Sequence, residues 1–185
     1  MSGTPPEPVR TGPALPSPRT PGRYSVALVC LGNICRSPTA DVVMASLVAD
    51  AGLADVVEVR SSGTGGWHVG QPMDERAAAT LTAAGYDATR HRARQHDADW
   101  AGLDLVLAMD AANLAAIGGA ADGRTGRVRL FRSFDPEVPD DAPVPDVPDP
   151  YSGGDDGFAD VLAMVERTCA RLRDGLVALE LSADR

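Results

Sequence analysis

Apolar residues along the chain follow two alternating spacings, and this alternation predicts the order of the secondary structure. Mostly apolar stretches of strand length cover residues 24–29, 56–60, 103–109 and 128–131. Helical spacing covers residues 40–51, 74–84 and 110–117, and it returns over residues 158–179. Strands that alternate with helices are typical of parallel sheets with right-handed crossovers. We therefore predict a three-layer α/β domain, in which a four-stranded parallel sheet carries helices on both faces.

Two stretches rich in turn-forming residues interrupt this pattern and predict loops. Residues 61–70 are rich in Gly and Ser, and residues 135–157 are dense in Pro, Asp and Gly. After the first strand, Ser37 can cap a helix that has Pro38 at its first position and ends at Gly52. The loop behind the first strand therefore opens onto a helix N-terminus.

The first 23 residues differ in composition from the rest of the chain. They contain prolines at positions 5, 6, 8, 13, 16, 18 and 21, among Thr, Ser and Gly. Such a segment buries too little apolar surface to order itself, and it lacks the apolar centre of a signal peptide. We predict that residues 1–23 form a disordered tail and that residues 24–185 form the folded domain.

The overall charge and the cysteine content limit the partners and the compartment. A formal charge of −9 argues against nucleic acid or an anionic membrane as a partner, so any anion site must be local. Three cysteines are too few for a disulfide framework, and no apolar stretch is long enough to span a membrane. The cytoplasm is the expected location, with export without a leader as the open alternative. The oligomeric state does not follow from the sequence.

The strongest chemical signal is the loop between Cys30 and Arg36, directly after the first strand. A loop that leaves a strand and enters a helix directs backbone N–H groups inward and can hold an oxyanion. Arg36 adds a planar fork of donors, and these positive surroundings favour the thiolate form of Cys30. The loop is therefore suited both to bind a phosphoryl group and to attack it.

Other interpretations of this loop fit less well. The nucleotide P-loop requires a lysine, and the chain contains none. Cys30 and Cys35 are five residues apart, which is not the spacing of a metal-binding pair, and no His-x-x-x-His accompanies them. We therefore expect neither nucleotide hydrolysis nor a metal ion or other cofactor.

Transfer of a phosphoryl group to Cys30 calls for an acid that protonates the leaving oxygen. The long loop offers five candidates, namely Asp135, Asp140, Asp141, Asp146 and Asp149. Asp149 precedes Pro150 and Tyr151, which would stiffen the backbone and supply an aromatic wall. From the residues alone, the choice between Asp146 and Asp149 stays open.

Three separated motifs resemble the low-molecular-weight protein tyrosine phosphatase family. They are Val-Cys-Leu-Gly-Asn-Ile-Cys-Arg-Ser-Pro at 29–38, Ser-Gly-Thr-Gly-Gly-Trp-His at 62–68 and Asp-Pro-Tyr at 149–151. The resemblance covers residues 24–180, and the segment 130–136 is similar to actinobacterial members in particular. It implies hydrolysis of protein phosphotyrosine through a cysteinyl-phosphate intermediate. Its implied partners are tyrosine-phosphorylated proteins, with inorganic phosphate or vanadate as inhibitors.

The resemblance also implies roles for single residues. Cys30 would be the nucleophile, and Arg36 would bind the phosphate and stabilise the transition state. Asp149, now preferred over Asp146, would protonate the leaving tyrosine and then activate water. The phosphate-binding loop would comprise Leu31, Gly32, Asn33, Ile34, Cys35 and Ser37.

A second group of residues would support this machinery. By the resemblance, Ser37 steadies the thiolate, and Asn33 with Ser61 and His91 holds the loop in shape. Alternatively, His91 is one more solvated base among arginines.

The rim of the predicted site would select the substrate. Trp67, His68 and Tyr151 match positions that line the entrance, where an aromatic wall favours phosphotyrosine over the shorter phosphoserine. Ser152 stands where a second tyrosine often follows in the family, so that part of the rim differs. Cys35 resembles a cysteine that can form a reversible disulfide with Cys30, or it is only a small buried loop residue.

Three other functions could use the same scaffold. Arsenate reduction relays a disulfide through further cysteines in the middle of the chain, but none lies between Cys35 and Cys169. Protein-arginine phosphatases of the family tend to carry Thr where this chain has Ile34, so the bulkier residue favours an aryl phosphate. A non-enzymatic oxyanion-binding protein would need neither the thiol nor the placed carboxyl group.

Overall fold

All four strands of the sheet run in the same direction, so their carboxyl ends meet at one end of the molecule. The computed structural model describes residues 12–182. Its strands are β1 (Tyr24–Cys30), β2 (Val57–Gly63), β3 (Leu105–Ala108) and β4 (Val128–Leu130). They lie in the order β2-β1-β3-β4, and every pairing is parallel. The predicted four-stranded parallel sheet is confirmed.

The helices follow the strands in alternation. They are α1 (Arg36–Asp50), α2 (Glu75–Ala83), α3 (Ala111–Ala116) and α4 (Asp155–Ala178). Two short 3₁₀ helices, Ala98–Gly102 and Phe131–Phe134, were not expected from the sequence. Within residues 12–182, no helix combines the length and the apolar character that crossing a membrane requires.

Alternation of side chains along β1 explains why this strand is apolar at every position except Ser25. Val26 and Leu28 belong to a buried cluster that includes residues of α1 and α4. Ala27 and Val29 instead pack with Trp100 in a second cluster. Because successive side chains of a strand point to opposite faces, both faces of β1 are covered. The three-layer arrangement with helices on both faces is thereby confirmed.

Residues 12–23 lie against the folded domain and correct the expectation of a disordered tail over residues 1–23. The backbone N–H of Arg19 donates to Asp104 Oδ1 at 2.6 Å, and the hydroxyl of Tyr24 donates to the carbonyl of Pro16 at 3.0 Å. Leu15 packs against the main core. Polar side chains of the domain thus form hydrogen bonds with backbone groups that the proline-rich segment cannot pair within itself. The composition of the segment does not reveal these contacts with the rest of the chain. Residues 1–11 of the expected tail lie outside the described residues.

Candidate active site

Cys30 is the last residue of β1, and its sulfur atom lies inside the loop that leads into α1. Cys30 Sγ is 2.9 Å from Ser37 Oγ and accepts a hydrogen bond of 3.3 Å from the backbone N–H of Asn33. Asn33 Nδ2 donates to Ser37 Oγ at 2.8 Å, which leaves the single hydroxyl proton of Ser37 free to point at the sulfur. The hydroxyl of Ser37 and the backbone N–H of Asn33 are therefore both placed to donate hydrogen bonds to the sulfur, an arrangement that suits a sulfur anion.

Ser37 does not cap α1, although its position in the sequence suggested that role. The helix begins at Arg36, and the residue at its N-cap, Cys35, makes no side-chain capping hydrogen bond. Ser37 therefore lies within the first turn of the helix, with its hydroxyl group committed to Cys30 Sγ. The hydrogen bond to the sulfur replaces the hydrogen bond that a cap would make.

Asn33 holds the loop in its shape through both its backbone and its side chain. Its φ of 54° lies in the left-handed region, which asparagine adopts more readily than most residues. Asn33 Oδ1 accepts from the backbone N–H of Arg94 at 2.9 Å, and the carbonyl of Asn33 lies 2.7 Å from His91 Nε2. A carbonyl only accepts, so His91 carries its proton on Nε2, and burial lowers the pKa of this imidazole. The structure thus brings Asn33, Ser37 and His91 together.

Ser61 lies apart from that group, contrary to the expected supporting network. Its hydroxyl donates to Asp41 Oδ2 on α1 at 2.8 Å. The neighbouring Ser62 lies closer to the site, because its carbonyl oxygen is 3.4 Å from Ser37 Oγ and its hydroxyl is 3.2 Å from His96 Nδ1. Adjacent side chains on a strand point to opposite faces, so two consecutive serines serve different neighbours.

A single glycine allows β2 to approach the loop. A Cβ atom at Gly63 would lie 2.7 Å from the carbonyl oxygen of Leu31 and 3.0 Å from the backbone nitrogen of Asn33. These contacts are with backbone atoms, which cannot move aside as the end of a flexible side chain can. The close packing of β2 against the loop therefore requires the absence of a side chain here.

Arg36 is buried and is held by acceptors from two other segments. Arg36 Nη1 donates to Asp110 Oδ2 at 2.7 Å and to the carbonyl of Val147 at 3.0 Å. Arg36 Nη2 lies 3.5 Å from Asp149 Oδ2. The role of Asp110 as a partner of Arg36 was not predicted from the sequence. Its place in the chain, just after β3, could have indicated this contact. β3 lies next to β1, and the carboxyl ends of parallel strands meet at the same edge of the sheet, where the loop after β1 also lies.

The two acids that the sequence left in competition occupy different surroundings. Asp149 is half-exposed and lines the same cavity as Cys30 and Arg36. Asp146 Oδ1 instead accepts from the backbone N–H of Ala111 at 2.9 Å, at the start of α3. Asp149 is therefore the carboxyl group that shares the cavity with Cys30 and Arg36, whereas Asp146 accepts a hydrogen bond at the start of α3.

Arg76 on α2 fixes the segment that carries Asp149 and Tyr151. Arg76 Nη2 donates to the carbonyl of Tyr151 at 3.1 Å and to Asp74 Oδ2 at 3.0 Å. The guanidinium also lies over the rings of Tyr151 and Phe158, 5.6 Å and 4.6 Å from their centroids. Asp74 donates its own backbone N–H to the carbonyl of Ile34 at 2.8 Å. Arg76 thus connects the acid-bearing segment to the phosphate-binding loop.

The cavity above the loop has a volume of about 160 Å³. Its lining comprises Cys30, Leu31, Gly32, Ile34, Cys35, Arg36, Trp67, His68, Asp149 and Tyr151. Trp67 is 70% exposed and Tyr151 is 51% exposed, so two aromatic rings stand at the mouth. A cavity of roughly 150 Å³ can hold a benzene ring. The site is therefore large enough for an aryl group.

The second cysteine of the loop has a different environment from Cys30. Cys35 is buried, and its burial raises the pKa of its thiol to about 12. Cys169 is also buried, in the core of the domain. Cys30, Cys35 and Cys169 are all free thiols in the structure.

The fold and the loop match those of known proteins along most of the chain. Residues 25–182 match the family model described as low molecular weight phosphotyrosine protein phosphatase. A low molecular weight protein-tyrosine-phosphatase of Streptomyces coelicolor is 49% identical over 146 residues, covering 77% of this chain and 87% of the relative. Protein-tyrosine phosphatase A of Mycobacterium tuberculosis is 44% identical over 149 residues, covering 80% and 89%.

A solved structure agrees with these sequence relatives. The crystal structure of a protein tyrosine phosphatase from Entamoeba histolytica superposes with a TM-score of 0.73 at 29% identity, covering 85% of this chain and 99% of that one. The class of domain is thus an α/β phosphatase domain, with a parallel sheet and the loop between Cys30 and Arg36 after its first strand. The chain belongs to the low molecular weight phosphotyrosine protein phosphatase family, and the resemblance seen in the sequence is confirmed.

Proposed function

We propose that this protein hydrolyses phosphotyrosine in proteins through a phosphate ester of Cys30. The observation that carries this proposal is one cavity lined by a hydrogen-bonded cysteine, a buried arginine and a half-exposed aspartate, namely Cys30, Arg36 and Asp149. These groups supply a nucleophile, an anion clamp and a proton donor within reach of the same phosphoryl group.

In the first step, the sulfur anion of Cys30 attacks phosphorus while the bond from phosphorus to the phenolic oxygen breaks. Asp149 gives its proton to that oxygen, so tyrosine leaves as a neutral phenol. In the second step, a water molecule attacks the phosphocysteine and Asp149 takes one of its protons. The sulfur–phosphorus bond then breaks, which releases inorganic phosphate and restores the anion of Cys30.

Charge on the transferred group is neutralised by donors that are already in place. Arg36 presents a planar guanidinium, and the backbone N–H groups of residues 31–36 complete the cradle. Donors fixed before the reaction need no reorganisation during it, so they stabilise the transition state more than solvent would. For the same reason, inorganic phosphate and vanadate are expected to bind in the loop and inhibit.

The walls of the cavity favour an aryl phosphate. The rings of Trp67 and Tyr151 flank the mouth, and Ile34 adds bulk to the lining. A phenyl ring can pack between these groups while its phosphate reaches Cys30, whereas the shorter phosphoserine leaves the aromatic walls without contact. Protein-arginine phosphatase and arsenate reductase activities are the rival functions on this scaffold.

One parallel assay distinguishes these functions. Phosphotyrosine, phosphoserine and phosphoarginine peptides and arsenate are supplied to the wild-type protein and to Cys30→Ser. We expect turnover of the phosphotyrosine peptide by the wild type alone, with a trapped phosphocysteine, and vanadate binding by both proteins. Preferred turnover of phosphoarginine or arsenate would contradict the proposed substrate, and full activity of Cys30→Ser would contradict the assigned nucleophile.

The nucleophile must remain a free thiol, and the three cysteines are unpaired. We therefore also propose a reducing compartment such as the cytoplasm as the place of action. Tyrosine-phosphorylated proteins are the proposed partners.

A further inference from the structure

A second cavity, larger than the active site, lies beside the outer strand of the sheet. It is bounded by α1, by β2 and by residues 85–94, and its volume is about 500 Å³. We call it the β2-edge cleft. β2 is the terminal strand of the sheet, so this side of the strand has no neighbouring strand, apart from the pairing of Gly63 with Gln95 at its end. The volume is typical of a small-molecule site.

Four guanidinium groups line the β2-edge cleft, in a chain whose net charge is −9. They belong to Arg60, Arg90, Arg92 and Arg94. Three carboxylates, those of Asp41, Glu58 and Asp87, also line it. The cleft therefore has a local excess of positive charge that the overall composition conceals.

Two of the four guanidiniums are already paired with carboxylates. Arg60 pairs with Glu58, and Arg90 Nε lies 3.6 Å from Asp87 Oδ2. Arg92 Nη1 donates only to the backbone carbonyls of Thr89 and His91. Within residues 12–182, no carboxylate forms an ion pair with Arg92 or Arg94. Arg92 and Arg94 are therefore the cations of the cleft that carboxylates neutralise least, because only the longer-range attraction between Arg94 and Asp41 remains. Two guanidiniums suit a ligand with two anionic groups.

Part of the remaining wall of the cleft is apolar. Val42, Ala45 and Val59 line it together with the side chain of Tyr86. A free inorganic anion would leave this wall unused, whereas an organic group attached to the anion could pack against it. The net charge of −9 does not suit a nucleic acid, which needs an extended basic face.

The segment that carries these arginines is hydrogen-bonded to both parts of the active site. The backbone N–H of Arg94 donates to Asn33 Oδ1 at 2.9 Å, and His91 Nε2 donates to the carbonyl of Asn33 at 2.7 Å. The same segment accepts from the loop that carries Trp67, because Gly63 donates to the carbonyl of Arg94 and Gly70 to that of Ala93, at 2.8 Å and 2.9 Å. An anion held by Arg92 and Arg94 would therefore restrain the phosphate-binding loop and the rim.

We propose that the β2-edge cleft binds a small molecule carrying a diphosphate group and that its occupancy alters catalysis through the segment 91–94. The binding part of this proposal is independent of the proposed function. The effect on catalysis rests on the proposed phosphatase activity.

Binding is tested by calorimetry on the full chain with inorganic pyrophosphate, adenosine diphosphate and adenosine at constant ionic strength. Vanadate in excess fills the active-site loop, so the titration reports on sites elsewhere. We expect one molecule of either diphosphate to bind, with at least tenfold weaker binding in Arg92→Ser and in Arg94→Ser. Arg173→Ser makes the same charge change on α4 beside Asp174, and it should bind as the wild type does. Adenosine should not bind.

Each outcome bears on the proposal. If adenosine diphosphate binds more tightly than pyrophosphate, the ligand is an organic diphosphate. If the two bind with equal affinity, the organic group contributes nothing and the ligand is inorganic diphosphate. Equal binding by the wild type and both cleft variants would overturn the site, as would loss of all diphosphate binding once vanadate is present. Failure of vanadate itself to bind would instead count against the proposed function, so the two failures are distinguishable.

Coupling is tested by kinetics with an aryl phosphate. Competition in the active-site loop raises KM alone, whereas restraint of the loop through Asn33 changes kcat. We expect pyrophosphate to change the kcat of the wild type by at least twofold and to leave the kcat of Arg92→Ser unaffected. An effect of pyrophosphate on KM only, in both proteins, would overturn the coupling.

Discussion

Arg36 forms a buried ion pair with Asp110, with Nη1 2.7 Å from Oδ2. The two residues are 74 positions apart in the sequence, and they meet because each follows the carboxyl end of its strand. This carboxylate is closer to the arginine than that of Asp149, which lies at 3.5 Å. The pair fixes one edge of the guanidinium, which leaves the rest of the fork for an anion.

We expect Asp110→Asn to destabilise the protein and phosphate to reverse part of the loss. Removing this partner leaves the buried charge of Arg36 with only the half-exposed Asp149 at 3.5 Å to compensate it, which costs on the order of 3 kcal/mol of unfolding free energy. A bound anion then supplies the missing negative charge. Saturating phosphate should therefore raise the melting temperature of Asp110→Asn by more than it raises that of the wild type.

Asp110→Ala provides the control, because Asp110 Oδ1 also caps α3 by accepting from the backbone N–H of Asn113 at 2.7 Å. Asparagine keeps that cap, whereas alanine removes it at a further cost of about 1 kcal/mol. An equal phosphate-induced shift in wild type and Asp110→Asn would contradict the role of the carboxylate as the partner of Arg36.

Features that depend on short stretches of sequence could be predicted. Apolar runs and helical spacing gave the order of the strands and helices, because both patterns are local. The positions of Cys30 at the end of a strand and Arg36 at the start of a helix could be predicted, because the strand, the loop and the helix follow one another directly in the sequence. Asp149 was separated from Asp146 only by the resemblance, since both lie in the same loop and the Pro150–Tyr151 pair after Asp149 does not decide between them.

Features that depend on contacts between distant segments could not be predicted. Asp110 and Arg76 act through partners on other elements, and no motif marks them. The hydroxyl of Ser37 had two available roles, and the choice depends on the position of Cys30 Sγ. The contact of Ser61 with Asp41 depends on which face of β2 meets α1. In each case the packing of the elements decides between residues that the sequence leaves equivalent.

Two substitutions of Asn33 separate the contribution of its left-handed backbone to stability from that of its side-chain hydrogen bonds. Asn33→Gly keeps the φ of 54° accessible but removes both side-chain hydrogen bonds. Asn33→Ala removes the same bonds and adds the strain of a left-handed residue with a Cβ, which is about 1 kcal/mol. We expect both variants to lose activity and Asn33→Ala to be less stable by that amount in chemical denaturation. Equal stabilities would show that the loop changes its backbone when the side chain is lost.

Arg76 gives a prediction about the acid, although it does not touch the proposed reacting atoms. Arg76→Ala removes the bond to the carbonyl of Tyr151 and the contacts with two rings, so Asp149 is no longer held in place. We expect kcat/KM for phenyl phosphate, which reports the step in which the leaving group departs, to fall about tenfold, with a smaller loss for p-nitrophenyl phosphate, whose leaving group needs little protonation. Arg173→Ala serves as the control. Equal losses for the two substrates would indicate a general structural effect instead.

The pKa of Cys35 predicts how fast it can respond to oxidation. A thiol attacks an oxidised Cys30 only as a thiolate, and burial raises the pKa of Cys35 to about 12. The reactive fraction is then about 10⁻⁵ at pH 7 and grows tenfold with each pH unit. We expect the rate of Cys30–Cys35 disulfide formation after peroxide treatment, measured by mass spectrometry, to rise accordingly between pH 7 and pH 9. Cys169→Ser should leave this rate unchanged, and a rate independent of pH would contradict the prediction.

The raised pKa of Asp41 predicts that the free energy of unfolding depends on pH, and that the isosteric variant Asp41→Asn lacks this dependence. Burial raises the pKa of this carboxyl group from 3.8 to about 6, and Ser61 donates a hydrogen bond to it. Asp41→Asn keeps an acceptor for Ser61 and cannot ionise. The measurement is the unfolding free energy of the two proteins, from urea titrations between pH 4 and pH 7.

The sign of the effect follows from proton linkage. Because its pKa is higher in the folded protein, Asp41 binds more protons there than in the unfolded chain, so the wild type loses stability as the pH rises from 3.8 to about 6. The stability of Asp41→Asn relative to the wild type should therefore increase by about 3 kcal/mol across that window and stay constant above it. Ser61→Ala removes a bond that favours the charged carboxylate, so it should move the end of the window to higher pH. A stability difference independent of pH would contradict the raised pKa of Asp41.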